Sequence, residues 1–255
     1  MRLPYTIQIP NFRPLLSASL GLLFFCAGAS SAHAQQPPVT VRVEIAKRGA
    51  GNHAPTAADP SNVAVWLSPA DGALATDVNA SPRPAARIVQ RNKEFEPHVL
   101  VIQAGTMVQF PNKDPFFHNV FSLFDGKRFD LGLYEAGSSK AVRFDRVGVS
   151  FLFCNIHEGM SAIVVAVDSP YFGLSDRAGR VTLRNVPDGR YVMHVWYERA
   201  KPEDLKLLDR EVTISDSSRS LAKVQVTENP DFTLAHKNKY GQDYVPPPSG
   251  GYGPP

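Results

Sequence analysis

The chain has 255 residues, with 27 Lys and Arg against 24 Asp and Glu, for a formal charge of +3. That near-balance gives no basic footprint and excludes nucleic acid as the expected partner. The length allows one large or two small domains, and the 43% hydrophobic content is enough for a packed core rather than a disordered chain.

The first 34 residues have the composition of a signal peptide. Arg2 and Arg13 give a positive start, Leu15 to Ala29 is an uncharged apolar run, and Ala32-His33-Ala34 is a small-x-small cleavage site. The run is too short for a retained span; an uncleaved N-terminal anchor is the alternative. The expectation is an exported, periplasmic protein with no membrane span after signal removal. Cleavage removes two Arg and no acid, which lowers the charge from +3 to +1. It also removes Cys26 and leaves Cys154 as the only thiol. A lone Cys in an oxidising compartment is an intermolecular bridge, a reactive thiol or a ligand.

From Val39 to Asp168 the chain runs in short alternating or apolar stretches broken by Gly, Pro, Asn and Asp. That texture predicts an all-β fold of the sandwich type. Expected strands are Val39 to Ile45 and Val63 to Leu67, then a Pro-rich connector from Ser68 to Pro84. A denser series follows: Arg87 to Arg91, Phe95 to Gln103, Thr106 to Phe110, Asn119 to Leu123 and Phe129 to Tyr134. Ala141 to Phe144, Val149 to Phe153 and Ala162 to Val167 complete it. Beyond Asp168, strands are expected at Val181 to Leu183, Tyr191 to Tyr197, Glu211 to Ile214 and Ala222 to Thr227. One or two helical turns fit Pro202 to Leu208, since Pro is tolerated at a helix start. The end of the chain is polar, with Pro, Gly and Tyr and no periodicity, and reads as a disordered tail.

Chemistry concentrates in Cys154-Asn155-Ile156-His157-Glu158-Gly159-Met160. A thiolate, an imidazole and a thioether fall within seven residues, on a loop leaving an apolar strand. Soft sulfur with imidazole suits copper, and a His2Cys plane with a long axial Met describes a blue-copper centre. One more His is needed from another strand. His118 is the best candidate, because it lies where one predicted strand ends and the next begins, and loops at one end of a sandwich cluster. Asn119 is placed to hydrogen-bond across to the ligand loop. Phe116, Phe117 and Ile156 adjoin these loops, either as an apolar docking rim around His157 or as ordinary core. His53 and His236 are expected to be solvated, His98 and His194 to pack or face solvent, and Met107 to fill core. A buried, structural Cys remains the plain alternative for Cys154.

The segment from about Arg87 to Asp168 resembles the cupredoxins of the plastocyanin and amicyanin type. The resemblance lies in Phe95-x-Pro97, Ala104-Gly105-Thr106, Val108-x-Phe110-x-Asn112-x-Asp114 and His118-Asn119-Val120. It continues in Phe129-Asp130, Phe144-Asp145-x-x-Gly148 and Phe151-x-Phe153-Cys154-x-x-His157-x-x-Met160. It implies a Greek-key β-sandwich with one mononuclear type 1 copper held by His118, Cys154, His157 and Met160. It also implies electron transfer between redox partner proteins and no enzyme activity. A binuclear copper centre would need a second Cys in the loop, and there is none.

The segment Tyr171 to Thr227 resembles the carboxypeptidase regulatory-like, transthyretin-like sandwiches. It does so through Ser175-Asp-x-x-Gly179-Arg-Val-x-Leu183, Val186-Pro-x-Gly189-x-Tyr191 and Val195-Trp196. The opening strands of such a domain are missing there but occur before residue 85. The expectation is therefore a second small Ig-like sandwich, split in sequence by the copper domain. The boundaries that follow are 1–34 for the signal peptide, 35–85 for the opening strands and linker, 86–168 for the cupredoxin domain, 169–230 for the rest of the flanking sandwich and 231–255 for a disordered tail. Three functions are carried forward: an exported one-electron copper carrier, a periplasmic copper carrier or sensor, and a metal-free interaction module.

Overall fold

The computed structural model describes residues 36–47, 58–72, 85–124 and 126–244. The expected signal peptide and residues 245–255 lie outside them. The first strands in chain order are β1 (Val39–Lys47), β2 (Ala64–Pro69), β3 (Ala86–Arg87), β4 (Val89–Arg91), β5 (Glu94–Glu96) and β6 (Val99–Gln103). Next come β7 (Thr106–Pro111), β8 (His118–Ser122), β9 (Phe129–Tyr134), β10 (Ser139–Phe144), β11 (Gly148–Phe153) and β12 (Ser161–Val167). The last are β13 (Phe172–Leu174), β14 (Arg180–Leu183), β15 (Gly189–Trp196), helix α1 (Pro202–Lys206), β16 (Arg210–Ile214) and β17 (Val224–Glu228). The fold is all-β. No helix among the described residues is long and apolar enough to cross a membrane.

The strands form sheets ordered β14-β1-β17, β13-β2-β15-β16, β6-β12-β11-β8-β9 and β10-β7-β3, with β4 and β5 as a separate pair. Three apolar clusters join the four larger sheets into successive layers. The first, with Val41, Leu67, Leu183, Met193 and Val226, lies between the first two sheets. The second, with Phe110, Val120, Phe144, Leu152 and Val164, fills the space between the last two. The third lies between the second and third sheets, where Ala64, Trp66, Phe172 and Trp196 meet Val99, Val101, Ile163 and Val165.

The third cluster explains the sequence of β12. Alternate residues of a strand point to opposite faces. Ala162, Val164 and Ala166 face the second cluster, while Ile163, Val165 and Val167 face the third. A strand covered on both faces needs apolar residues at every position, hence the unbroken run.

Strands β1 and β2 pair with strands that come after residue 171. β1 lies antiparallel to β14 and parallel to β17, and β2 lies antiparallel to β13 and β15. The chain leaves this sandwich after β2 and returns after β12, and the two crossings touch. The Ser68 hydroxyl donates to Asp168 at 2.7 Å, and Leu67 N–H donates to the Tyr171 carbonyl at 3.0 Å.

Four local expectations change. The run Arg87 to Arg91 breaks at Ile88, with Arg87 paired to β7 and Val89–Arg91 to β5. The run Phe95 to Gln103 is two strands, because Pro97 has no N–H for a ladder. Residues Phe172–Leu174 form an unexpected edge strand, where a Cβ on Gly173 would stand 3.0 Å from the Thr182 carbonyl oxygen. Met107 is 44% exposed, since Val108 and Phe110 take the inward positions of β7.

Candidate metal centre

His118 is the first residue of β8, and Cys154 follows the last residue of β11. β8 and β11 are neighbours, paired at Phe121 and Phe153, so the two side chains meet at one end of the sheet. The loop after β11 closes on itself. Cys154 N–H donates to the Met160 carbonyl at 3.1 Å, and Met160 N–H donates to the His157 carbonyl at 3.2 Å. This turn carries His157 back over Cys154 and returns the chain into β12. Cys154, His118 and Met160 are fully buried, and His157 is partly exposed.

The Cys154 sulfur lies 3.8 Å from His118 Nδ1 and 3.6 Å from His157 Nδ1. All three ligand atoms lie within 4.8 Å of one another. Metal–sulfur and metal–nitrogen bonds of about 2.3 and 2.0 Å, opened at roughly 110–120°, separate S and N by about 3.5–3.8 Å. The sulfur–nitrogen separations fit a shared metal ion. Met160 belongs to the same buried cluster as Cys154, which brings a thioether near the two imidazoles and the thiol, side-chain types that suit copper.

The surroundings fix the state of each donor. His118 Nε2 donates to Asp114 Oδ2 at 2.7 Å, which places the proton on Nε2 and leaves the Nδ1 lone pair facing the sulfur. Burial pushes the Asp114 carboxyl up, but N–H donors from Lys93 and Asn92 and the His118 ring outweigh it and hold it below the usual range. Burial raises the Cys154 thiol, against backbone N–H groups of Asn119, Ile156 and His157 that favour the thiolate. A metal ion replaces that proton on binding. Burial, then the neighbouring His118 and Lys93, lower His157 to about 4, so its imidazole is neutral at pH 7.

The Phe116 ring contacts both imidazoles, with centroids 5.2 Å from His118 and 5.8 Å from His157. Phe117 and Ile156 are exposed beside them, at 55% and 44%. The side chain of Asn119 does not bond the ligand loop. It donates to Asp130 Oδ1 at 2.7 Å, while the Asn119 backbone N–H faces the Cys154 sulfur.

The other histidines lie elsewhere. His98 joins the two sandwiches, with Nδ1 on the Ser161 carbonyl and Nε2 on Glu198 at 2.9 Å. His194 stacks on Trp66 and pairs with Asp209 at 3.1 Å. His53 lies outside the described residues. His236 is not solvated as expected; it stacks on Phe153 with centroids 3.9 Å apart. Residues 231–244, expected as disordered tail, hold no regular element but lie against the ligand loop. Sequence reasoning missed these tail contacts and the Asp114 partner. An acid four residues before a ligand His was the available signal for Asp114. Tyr244 offered none, because it meets Cys154 across 90 positions.

No protein-family model matches the chain, and no curated protein matches it. Among solved structures, a purple cupredoxin from Nitrosopumilus maritimus is 26% identical, over 32% of this chain and 99% of its own, with a TM-score of 0.30. Amicyanin from Paracoccus versutus is 22% identical, over 35% of this chain and 87% of its own, with a TM-score of 0.31. A copper-containing nitrite reductase from Thermus scotoductus is 24% identical, over 34% of this chain and 23% of its own, with a TM-score of 0.32.

Proposed function

We propose that the protein is an exported type 1 copper protein that carries single electrons between partner proteins in the periplasm. One observation carries this reading: His118 Nδ1, Cys154 Sγ and His157 Nδ1 converge at metal-ligand separations, with Met160 buried in the same loop. A copper ion held there supplies one-electron chemistry by alternating between Cu(II) and Cu(I).

The chain's own residues provide the rest. Asp114 fixes the His118 tautomer. Three backbone N–H groups face the Cys154 sulfur and favour its thiolate. A loop closed between Cys154 and Met160 limits movement of the donors when the metal changes charge. His157 is the donor with an exposed edge, and Phe116, Phe117 and Ile156 form an apolar rim around it where a partner protein docks. We read the site as an electron carrier and not an enzyme, in which His118, Cys154, His157 and Met160 would hold the copper.

Copper titration of the folded protein tests the reading. One equivalent of Cu(II) should give an intense thiolate-to-copper charge-transfer band that disappears on reduction. Tight Cu(I) binding that resists oxidation would instead support the copper carrier or sensor. No copper uptake would support the metal-free interaction module.

A further inference from the structure

We infer that residues 236–244 are a strap that positions the ligand loop, with Tyr244 and Lys239 as its two working residues. The inference rests on the copper reading above and goes beyond it by assigning the segment after the last strand to the site.

The strap contacts the neighbours of the ligands. Tyr244 donates its hydroxyl to the Cys154 carbonyl at 2.7 Å. Lys239 N–H donates to Asn155 Oδ1 at 3.0 Å. Both bonds fall on the first two residues of the loop, on groups that the loop's own turn leaves free. Lys239 then reaches the other ligand strand. Its ammonium lies 2.6 Å from Asp130 Oδ2, and Asp130 Oδ1 holds the Asn119 side chain, whose backbone N–H faces the Cys154 sulfur. One residue thus ties the loop bearing Cys154 to the strand bearing His118. The stack of His236 on Phe153, the residue before Cys154, fixes the strap to the sheet, and Tyr244 meets His236 at 3.3 Å.

These bonds are ones the ligand loop cannot make for itself. The Tyr244 hydroxyl gives the Cys154 carbonyl a donor that the loop lacks, and the Lys239–Asp130–Asn119 bridge adds a second tie to the β8–β11 pairing of the two ligand elements. Losing either frees the Cys154 backbone to shift, and the sulfur moves with it.

The experiment uses the full chain with Tyr244→Phe, Lys239→Met, the double variant, and Tyr240→Phe as a control. Tyr240 is 71% exposed in the same segment. Hydrogen–deuterium exchange of the metal-free proteins comes first. Exchange at residues 153–157 should rise about fivefold in Tyr244→Phe, the effect of losing one hydrogen bond, and about twofold in Lys239→Met, which loses the ammonium bond to Asp130 but keeps its backbone N–H on Asn155. The control should not change. The Cu(II)-loaded variants should then show altered relative intensities of their charge-transfer bands and an altered copper hyperfine splitting. After reduction with ascorbate, copper loss to a Cu(I) chelator should quicken for each variant and further for the double, about fivefold for Tyr244→Phe. Unchanged exchange in both variants overturns the strap. Raised exchange with an unaltered spectrum and loss rate overturns its positioning role. If the unmodified protein takes up no copper, the copper reading fails, and the exchange measurement still decides whether the strap holds the loop.

Discussion

His118 can offer its Nδ1 lone pair only while Nε2 keeps its proton, and the Asp114 carboxylate holds it there. An anionic partner also strengthens the imidazole as a donor to Cu(II). Asp114→Asn should lower Cu(II) affinity about tenfold. With Cu(I) affinity unchanged, that raises the reduction potential by about 60 mV, which spectroelectrochemistry would read. Cys154→Ser should abolish the visible band while leaving the folded far-UV signature, since the substitution removes the thiolate and little volume. Much of this site is readable in the sequence, because Cys154, His157 and Met160 share one loop and His118 opens a strand. Asn119 shows the limit. Its type and place indicate a polar role near the site, but Asp130, eleven residues on, claims its side chain.

At the scale of elements, β12 and the loop before it tie the site to the rest of the fold. Ile163 is buried in the layer between the two sandwiches. Ile163→Ala should cost about 3 kcal/mol in chemical denaturation, as for other buried Ile truncations. His98 crosses the same junction, and both of its ring nitrogens meet acceptors, Ser161 O and Glu198. The hydrogen bond to Glu198, with its charge, raises the His98 pKa above the ordinary 6.5, against burial. A raised folded-state value means stability that is fully present below the unfolded 6.5 and is lost as pH rises from there through the higher folded-state value. The thermal midpoint should therefore fall from about pH 6 to about pH 9 by more in the unmodified protein than in His98→Gln. The unbroken apolar run of β12 fits its burial on both faces, but in the sequence it reads only as a strand. The His98–Glu198 pair was not legible, because it joins residues 100 positions apart that only the packed sandwiches bring together.

For the whole molecule, the third apolar layer has the main consequence. Val99, Val101, Ile163 and Val165 belong to the sheet that carries the ligands, yet they are covered by Ala64, Trp66, Phe172 and Trp196 of the other sandwich. The two sandwiches should unfold in a single calorimetric transition. Residues 86–168 produced alone would expose that apolar face and should aggregate. Replacing Val99, Val101 and Ile163 by Thr in that fragment should restore solubility. Two separate transitions in the full chain would show that the layer couples them weakly. The expected split rested on missing opening strands, and β1 and β2 do pair with strands beyond residue 171. The face-to-face packing of the two sandwiches was not legible, because an apolar strand face does not name the surface that covers it.

A redox titration of the protein loaded with a single equivalent of copper, followed by visible and electron paramagnetic resonance spectra, decides whether the proposed site passes one electron at a time. A one-electron carrier gives one reversible wave, in which the thiolate charge-transfer band and the Cu(II) resonance vanish together and return together. A resonance without the thiolate band, or a band that survives Cys154→Ser, would rule out this ligand set.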